Sequence, residues 1–292
     1  MINFMRFRYF YFAFSLLFII LSVFGLVFWG LKPSVEFTGG TQIKFEILNF
    51  KFEIEEIINL TKESGIEVSN LTNETNSSNS YILRAKEISQ DKYSEFQKKI
   101  IDAGGEYKEI SFESVGPVVG KELVFKTIIA VVLGSLFILF YVARQFKNPM
   151  FGVCAILAMF HDSIILLGVF SFLGHFRGVE IDVLFVTSVL TILSFSVHDT
   201  IVVYDRVRES IKTTKGISFV DLVNKAVTET LSRSFNNSMT IIFMLLTLFF
   251  LGGDSIKWFV LALLVGTISG TYSSTFTAAP LLVIWNELKK RK

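Results

Sequence analysis

The sequence has few of the residues on which metal proteins and most enzymes depend. It has one cysteine, Cys154, and three histidines in 292 residues. One cysteine excludes an intramolecular disulfide, and inside an apolar segment it is typical of packing. The chain has no His-Glu-x-x-His, nucleophile elbow, P-loop or dinucleotide fingerprint, and Gly39-Gly40 has the setting of a turn. We therefore expect no catalytic residue, no metal and no cofactor, and not an enzyme.

Charge and proline are also scarce, whereas apolar residues abound. Hydrophobic residues make up 51% of the chain and charged residues 18%, and the mean hydropathy is +0.55. Apolar runs of about 18 or more residues are typical of transmembrane helices. Six such segments are predicted, at roughly 9–30, 123–143, 150–173, 182–204, 235–252 and 257–285. Three of the four prolines, Pro33, Pro117 and Pro149, fall at segment boundaries, where a helix tolerates them.

The region between the first two segments has the pattern of a small α+β domain. Residues 41–47 and 107–115 alternate as strands, residues 66–71 and 81–85 read as short strands, and residues 52–60 and 88–103 have helical spacing. The order β-α-β-β-α-β is the ferredoxin-like split motif. The prediction is an α-helical membrane protein with six transmembrane helices and one external ferredoxin-like domain. Its parts are the cytoplasmic N-terminus with helix 1 (1–30), the external domain (31–121), helices 2–6 (122–285) and a basic cytoplasmic tail (286–292).

Basic residues predict the orientation of the chain in the membrane. They concentrate at Arg6, Arg8, Arg144, Lys147, Arg206, Arg208, Lys212, Lys215, Lys225, Lys289, Lys290, Arg291 and Lys292. By the positive-inside rule these connections and both termini are cytoplasmic, and residues 31–121 lie outside. The first segment has no Ala-x-Ala cleavage pattern, so we expect a retained anchor. No basic run is interleaved with exposed aromatic residues, so we expect a lipid bilayer and no nucleic acid as partner.

One carboxylate stands out inside the fourth segment. Asp199 lies at a depth where a charge is costly, so it is expected to face a bundle interior or a wet cavity. Ser196, Ile192 and Ser188 share its helical face. Arg233, which enters the next apolar segment, is expected to bias Asp199 towards ionisation. Two readings remain open: a static network that holds the helices together, and a protonatable site on a proton path.

Other polar and small residues in the segments complete the candidate set. His198, beside Asp199, is either a titrating group near neutrality or a hydrogen-bonded structural residue. His161, Asp162, Ser196, Asn236 and Asn237 are secondary intramembrane polar candidates. The sixth segment repeats a small residue at every fourth position, a pattern that lets helices approach closely: Ala262, Gly266, Gly270, Ser274 and Ala278. Residues 211–231 form an amphipathic stretch that is expected to lie along the inner membrane surface.

Several motifs together resemble the SecF members of the SecD–SecF family, of the resistance-nodulation-division type. They occur in matching order over almost the whole chain: Val35-Glu-Phe-Thr-Gly-Gly-Thr-Gln42, Phe112-Glu-Ser-Val-Gly-Pro-Val-Val-Gly120, His161-Asp162, Asp199-Thr-Ile-Val-Val-Tyr-Asp-Arg-Val-Arg-Glu209 and Leu231-Ser-Arg-Ser234. In that family the intramembrane acid corresponds to Asp199 and its basic partner to Arg233. Where the family often has Asn or a similar polar residue before the acid, this chain has His198.

The resemblance implies an accessory subunit of bacterial protein export in the inner membrane. It would use the proton or sodium gradient to assist late-stage translocation or release of preproteins. Its implied partners are a SecD-like subunit, the SecYEG channel and unfolded preprotein. The alternatives are a half-transporter that exports lipid or small molecules, which the small charged outer domain disfavours, and a structural scaffold without ion flux.

Overall fold

The computed structural model describes residues 3–49, 52–73, 79–146, 148–214 and 216–291. Within these ranges six helices are long and apolar enough to cross a membrane: Phe4–Phe28, Pro117–Gln145, Pro149–Arg177, Val183–Thr213, Phe219–Leu251 and Asp254–Lys290. The predicted six-helix, multi-pass architecture is therefore confirmed. Lys147, Lys215 and Lys292, which enter the orientation argument, lie outside the described residues.

The elements follow one another along the chain with short connections. They are α1 (Arg8–Phe28, after a 3₁₀ turn at Phe4–Phe7), α2 (Val35–Thr38), β1 (Gly40–Leu48), α3 (Ile54–Glu63), β2 (Val68–Asn73), β3 (Ser80–Ala85), α4 (Gln90–Asp102), β4 (Glu106–Val115), α5 (Pro117–Gln145), α6 (Pro149–Arg177), α7 (Val183–Thr213), α8 (Phe219–Leu251), α9 (Asp254–Ser273), a π-helical segment (Ser274–Ala278) and α10 (Ala279–Arg291). They form two compact units, residues 33–129 (the sheet unit) and residues 1–32 with 130–292 (the bundle unit).

The sheet unit contains a four-stranded antiparallel sheet in the order β2-β3-β1-β4. Alternate residues of the central strand β1, namely Ile43, Phe45 and Ile47, are fully buried, as its period of two predicts. The helix α3 begins with a capping box between Glu53 and Glu56. The element order β1-α3-β2-β3-α4-β4 is the one predicted from the sequence.

Two of the glycine-containing motifs meet inside the sheet unit. Gly39 has φ +74°, and a Cβ there would lie 2.8 Å from the Cα of Pro117. A Cβ on Gly120 would lie 3.1 Å from the nitrogen of Gly39. These positions need glycine because backbone approaches backbone, and Gly39 also has a conformation that side chains disfavour.

Helix α7 lies at the centre of the bundle unit, packed against α6, α8 and α9. The small-residue stripe of α9 accounts for the close approach to α7. A Cβ on Gly266 would lie 2.3 Å from Ile192, and one on Gly270 would lie 3.4 Å from Phe195. Ala262 and Ala278 are fully buried, and Ser274 is as well.

The helices on the basic side of the bundle are longer than predicted. Residues 205–209 continue α7, and residues 219–231 are the first turns of α8. The predicted amphipathic stretch 211–231 is thus not a separate surface element. No glycine or proline interrupts residues 219–251, and the Ser218 side chain caps the helix by accepting from the backbone of Asp221.

Candidate functional site

Asp162 is held by hydroxyl groups from two neighbouring helices. It lies near the middle of α6 and is 1% exposed. The hydroxyls of Ser196 on α7 and Ser273 on α9 donate to Oδ2 at 2.6 Å, and that of Ser269 donates to Oδ1 at 2.6 Å. Nδ1 of His161 lies 3.0 Å from Oδ1. A carboxylate accepts about four hydrogen bonds, and three serine hydroxyls occupy most of that capacity here.

Asp199 is buried at the middle of α7 but has far fewer partners. It is 5% exposed. Among the described residues, its one hydrogen bond comes from the Ser274 hydroxyl, 2.5 Å from Oδ2. Ser188, Ile192 and Ser196 of the same helical face are also buried. The two intramembrane carboxylates therefore differ. Asp162 accepts from three serine hydroxyls, whereas Asp199 accepts from one and, although it is buried, can accept further hydrogen bonds.

The donors to the two carboxylates are adjacent in the sequence. Ser273 ends α9 and binds Asp162, whereas Ser274 begins the π-helical segment and binds Asp199. At the other end of this segment, the Tyr204 hydroxyl of α7 donates to the carbonyl of Ala278 at 2.8 Å. Single π-helical turns within α-helices occur frequently at functional sites. Here the turn links Asp199 and Tyr204, two residues of one helix.

Arg233 does not contact Asp199 in the part of the chain that the structure describes. The Arg233 side chain is exposed, and its neighbour Ser234 is the residue that turns inward, at 3% exposure. The acid–base contact expected between α7 and α8 is therefore not formed within the chain. Consecutive helical residues point about 100° apart, so the buried position of Ser234 directs Arg233 away from the interior.

Arg233 instead lines a cleft between α7 and α8 whose volume is about 510 Å³. The other lining residues are Val202, Asp205, Arg206, Glu209, Glu229 and Thr230. Arg206 pairs with Glu209 at 2.6 Å and with Glu229 at 2.5 Å. A space of this size, lined by charged groups, can hold several water molecules.

Polar residues also cover an outward face of α7 and α8, here called the polar outer face. On α7 they recur at helical spacing, and on α8 they follow Arg233. The exposed residues are Thr187, Thr191, Ser194, His198, Arg233, Asn236, Asn237 and Thr240. His198, Asn236 and Asn237 thus lie on the outside of this chain, while His161, Asp162 and Ser196 lie inside. The hydroxyls of Thr187, Thr191 and Thr240 donate to backbone carbonyls of their own helices. The side chains of His198, Asn236 and Asn237 have no hydrogen bond among the described residues, and polar groups at membrane depth need protein partners or water.

Sequence reasoning missed Ser269 and Ser273, and it assigned Ser274 to packing alone. Their roles depend on which helix lies opposite, which a local pattern does not reveal. A signal was present, because hydroxyl residues recur densely along this part of the chain: Thr267, Ser269, Thr271, Ser273, Ser274, Thr275 and Thr277.

Comparison with known proteins gives one consistent result. Residues 95–288 match the family described as "Protein export membrane protein SecD/SecF, C-terminal". The chain is 43% identical over 302 residues to the protein translocase subunit SecF of Thermobaculum terrenum, covering 98% of this chain and 94% of that protein. It is 33% identical over 268 residues to the protein translocase subunit SecDF of Thermus thermophilus, covering 89% of this chain and 35% of that protein.

The fold agrees with a solved structure from the same group. The crystal structure of SecDF from Thermus thermophilus, described as a translocon-associated membrane protein, is similar to this chain with a TM-score of 0.84 and 32% identity. The match covers 98% of this chain and 39% of that one. The chain therefore belongs to the SecD/SecF family of protein-export membrane proteins, as a SecF-type translocase subunit.

Proposed function

We propose that this subunit couples the proton (or sodium) gradient across the bacterial inner membrane to late-stage translocation or release of preproteins, with Asp199 as the group that alternates in charge. The observation that carries the proposal is the contrast between the two buried carboxylates. Asp162 has four hydrogen-bonding partners, three of which are serine hydroxyls that donate to it. Asp199 has one hydroxyl donor and room to accept a proton.

The depth of Asp199 supports a role in coupling. Ionisable residues inside transmembrane segments usually mark ion pathways, because burying a charge without a function is costly. Asp199 lies at the middle of α7, and the charged cleft that contains Asp205 and Arg233 lies further along the same helix pair. We propose that this cleft is the watery route by which the ion reaches the Asp199 region from the cytoplasm.

We further propose that Arg233 and His198 act across an interface with a SecD-like subunit. The polar outer face needs a polar protein neighbour at membrane depth. The fused SecDF relative contains a region outside the match with this chain, which suggests where such a neighbour comes from. In the complex, polar groups of that neighbour would contact Arg233 and His198 on the exposed side of the bundle. Asn236 and Asn237 belong to the same interface.

We propose that both termini lie in the cytoplasm and that the sheet unit is an external, ferredoxin-like domain. The basic residues at the termini and around the connections after α5 and α7 support this orientation by the positive-inside rule. On the outer side, the sheet unit would meet unfolded preprotein that leaves the SecYEG channel.

The experiment compares Asp199→Asn, Asp199→Glu and a matched control in reconstituted complexes with the SecD-like subunit and the channel. Asp199→Asn keeps the side-chain shape but cannot alternate in charge, so gradient-dependent completion of export should be lost. Asp199→Glu should retain part of it. The control, Asp182→Asn, removes a carboxylate from the same helix but keeps the N-cap, because Asn caps as well as Asp. Wild-type gradient response in Asp199→Asn complexes, with normal assembly, would refute the proposal.

A further inference from the structure

We propose that Ser274 is a positioning residue that converts the protonation of Asp199 into a change of the π-helical segment 274–278, and that Tyr204 holds the far end of this segment. The inference rests on the proposed function, because it takes the charge alternation of Asp199 as its input. It concerns a residue that touches the coupling carboxylate directly and joins it to the backbone of the sixth transmembrane span.

The Ser274 hydroxyl has two acceptors and only one hydrogen. Its Oγ lies 2.5 Å from Oδ2 of Asp199 and 3.1 Å from the carbonyl oxygen of Thr271, one turn earlier in its own helix. The same alternative exists at Ser273, whose Oγ lies 2.6 Å from Asp162 and 3.2 Å from the carbonyl of Gly270. Each hydroxyl can direct its hydrogen to the neighbouring helix or to its own backbone.

The charge of Asp199 decides which acceptor Ser274 uses. An ionised Asp199 has only acceptors, so it takes the hydroxyl hydrogen of Ser274 in a strong, charge-assisted bond. A protonated Asp199 carries its own hydrogen, which it can donate to Oγ of Ser274, and the serine hydroxyl then turns to the carbonyl of Thr271. One proton enters at Asp199 and the serine keeps its own, so the step changes bond directions and consumes nothing else.

The π-helical segment is held from α7 at both ends. Asp199 contacts its first residue, Ser274, and Tyr204 donates to the carbonyl of its last residue, Ala278, at 2.8 Å. Tyr204 is fully buried. A wide helical turn is less favourable than an α-helical one and persists where its surroundings hold it. When the bond at Ser274 changes from charged to neutral, one of the two attachments weakens, and the segment is freed to tighten.

Asp162 defines which side of the junction stays fixed. It binds Ser269 and Ser273 of α9 and Ser196 of α7, so the chain up to Ser273 is tied to α6 and α7 in either state of Asp199. Motion that begins at Ser274 is therefore transmitted forwards, into α10. The α10 residue Glu287 pairs with Arg8 at 3.1 Å, so the movement reaches the start of α1.

Several other ionisable groups lie on α7 and on the helices packed against it. The helices packed against it carry Cys154, His161 and Asp162 on α6, Tyr272 on α9, and Glu229 and Arg233 on α8. Besides Asp199, α7 itself has His198 and, towards its end, Tyr204, Asp205, Arg206, Arg208, Glu209 and Lys212. The π-helical segment, Ser274–Ala278, has none. The pH response that Ser274 adjusts is therefore that of Asp199, and variants at Ser274 change no ionisable group.

The first test is the pH profile of gradient-driven export in reconstituted complexes. Ser274→Ala removes the donor to the ionised carboxylate, so the midpoint of the profile should move to higher pH by about one unit. Ser274→Thr retains a hydroxyl and should restore the wild-type midpoint. Ser171→Ala is the matched control, because Ser171 is a fully buried serine of the same bundle whose hydroxyl has no partner among the described residues. It should leave the profile unchanged.

The second test uses Tyr204→Phe and infrared difference spectroscopy. Tyr204→Phe keeps the ring that packs against Phe146 and Phe151 but releases Ala278, so it should lower the gradient response without moving the midpoint. The Tyr204→Phe variant tests the role of the π-helical segment even if Ser274→Ala complexes do not assemble. The band of the protonated Asp199 carboxyl, absent in Asp199→Asn, should shift in Ser274→Ala.

The outcomes separate the two proposals. If Asp199→Asn abolishes the gradient response while Ser274→Ala keeps the wild-type midpoint and the wild-type carboxyl band, the proposed function stands and this inference is overturned. A wild-type gradient response in Tyr204→Phe also overturns it. If Asp199→Asn complexes respond normally, the proposed function itself has failed.

Discussion

The stripe of small residues on α9 makes a quantitative prediction, since two of its glycines meet α7 at very different distances. A Cβ on Gly266 would lie 2.3, 2.5 and 2.6 Å from three side-chain carbons of Ile192. A Cβ on Gly270 would lie 3.4 Å from Phe195 and 3.5 Å from the Cα of Ser196, which is ordinary contact. The same substitution, glycine to alanine, should therefore be tolerated at Gly270 and destabilising at Gly266.

The magnitudes follow from two competing terms. Alanine in place of glycine favours a helix by about 1 kcal/mol. Overpacking a filled interface costs about 1–3 kcal/mol. Gly270→Ala should be neutral or stabilising by up to about 1 kcal/mol, whereas Gly266→Ala should be destabilising by up to about 2 kcal/mol. Gly270→Leu has no space beside the α7 backbone and should impair assembly.

The assay is thermal unfolding of the purified complex in detergent, with export activity measured in parallel. A double variant supplies the control: Ile192→Ala removes the three carbons that the new methyl group would meet. Gly266→Ala should therefore cost less in an Ile192→Ala background than in the wild type. Equal unfolding temperatures for Gly266→Ala and Gly270→Ala, or no coupling between positions 266 and 192, would show that the α7–α9 interface is not the one described.

Three further predictions concern orientation, the sheet unit and the Asp162 carboxylate. In a Cys154→Ser background, an impermeant thiol reagent added to intact cells should label Glu55→Cys and not Lys212→Cys; the reverse would overturn the orientation. Burial raises the pKa of Tyr93 to about 12, so the folded sheet unit binds the phenolic proton more tightly than the unfolded chain does. The stability of the sheet unit should therefore fall as pH rises from about 10 to 12. A Tyr93→Phe variant should lose less stability over this pH range. Asp162→Asn leaves one oxygen to accept from three serine hydroxyls and should lower the unfolding temperature of the complex by the equivalent of about 1–3 kcal/mol, and an unchanged temperature would contradict the hydroxyl network.

The sequence carried most of the information on secondary structure because that information is local. The alternation of apolar and polar residues over 41–47 predicted β1. The helical spacing of Ser188, Ile192, Ser196 and Asp199 predicted the buried side of α7. Such periods depend only on the geometry of one element. On the basic side the end of α7 was placed too early and the start of α8 too late, because polar residues continue both helices beyond the apolar span.

The partners of the buried carboxylates could not be predicted in the same way. Asp162 binds serines more than 100 residues further along the chain, and that pairing depends on how α9 is rotated against α6. The π-helical segment adds to the difficulty. Residues at every fourth position of an α-helix are each rotated by about 40° around the helix axis relative to the one before. The wider π-helical turn at Ser274–Ala278 offsets this rotation. Ser274 therefore reads as one more packing residue in the sequence, although its hydroxyl reaches Asp199.

The most direct measurement of the central claim is ion flux through the assembled complex. Vesicles that contain the complex with its SecD-like subunit, and a pH-sensitive dye inside, would receive an imposed proton gradient while a preprotein is being exported. In wild-type and Asp182→Asn complexes we expect proton movement that depends on the preprotein. In Asp199→Asn complexes we expect no proton movement above the leak of vesicles without protein. A sodium-coupled complex should give the same pattern with a sodium-sensitive dye. Equal flux of either ion in wild-type and Asp199→Asn complexes would contradict the claim that Asp199 is the coupling group.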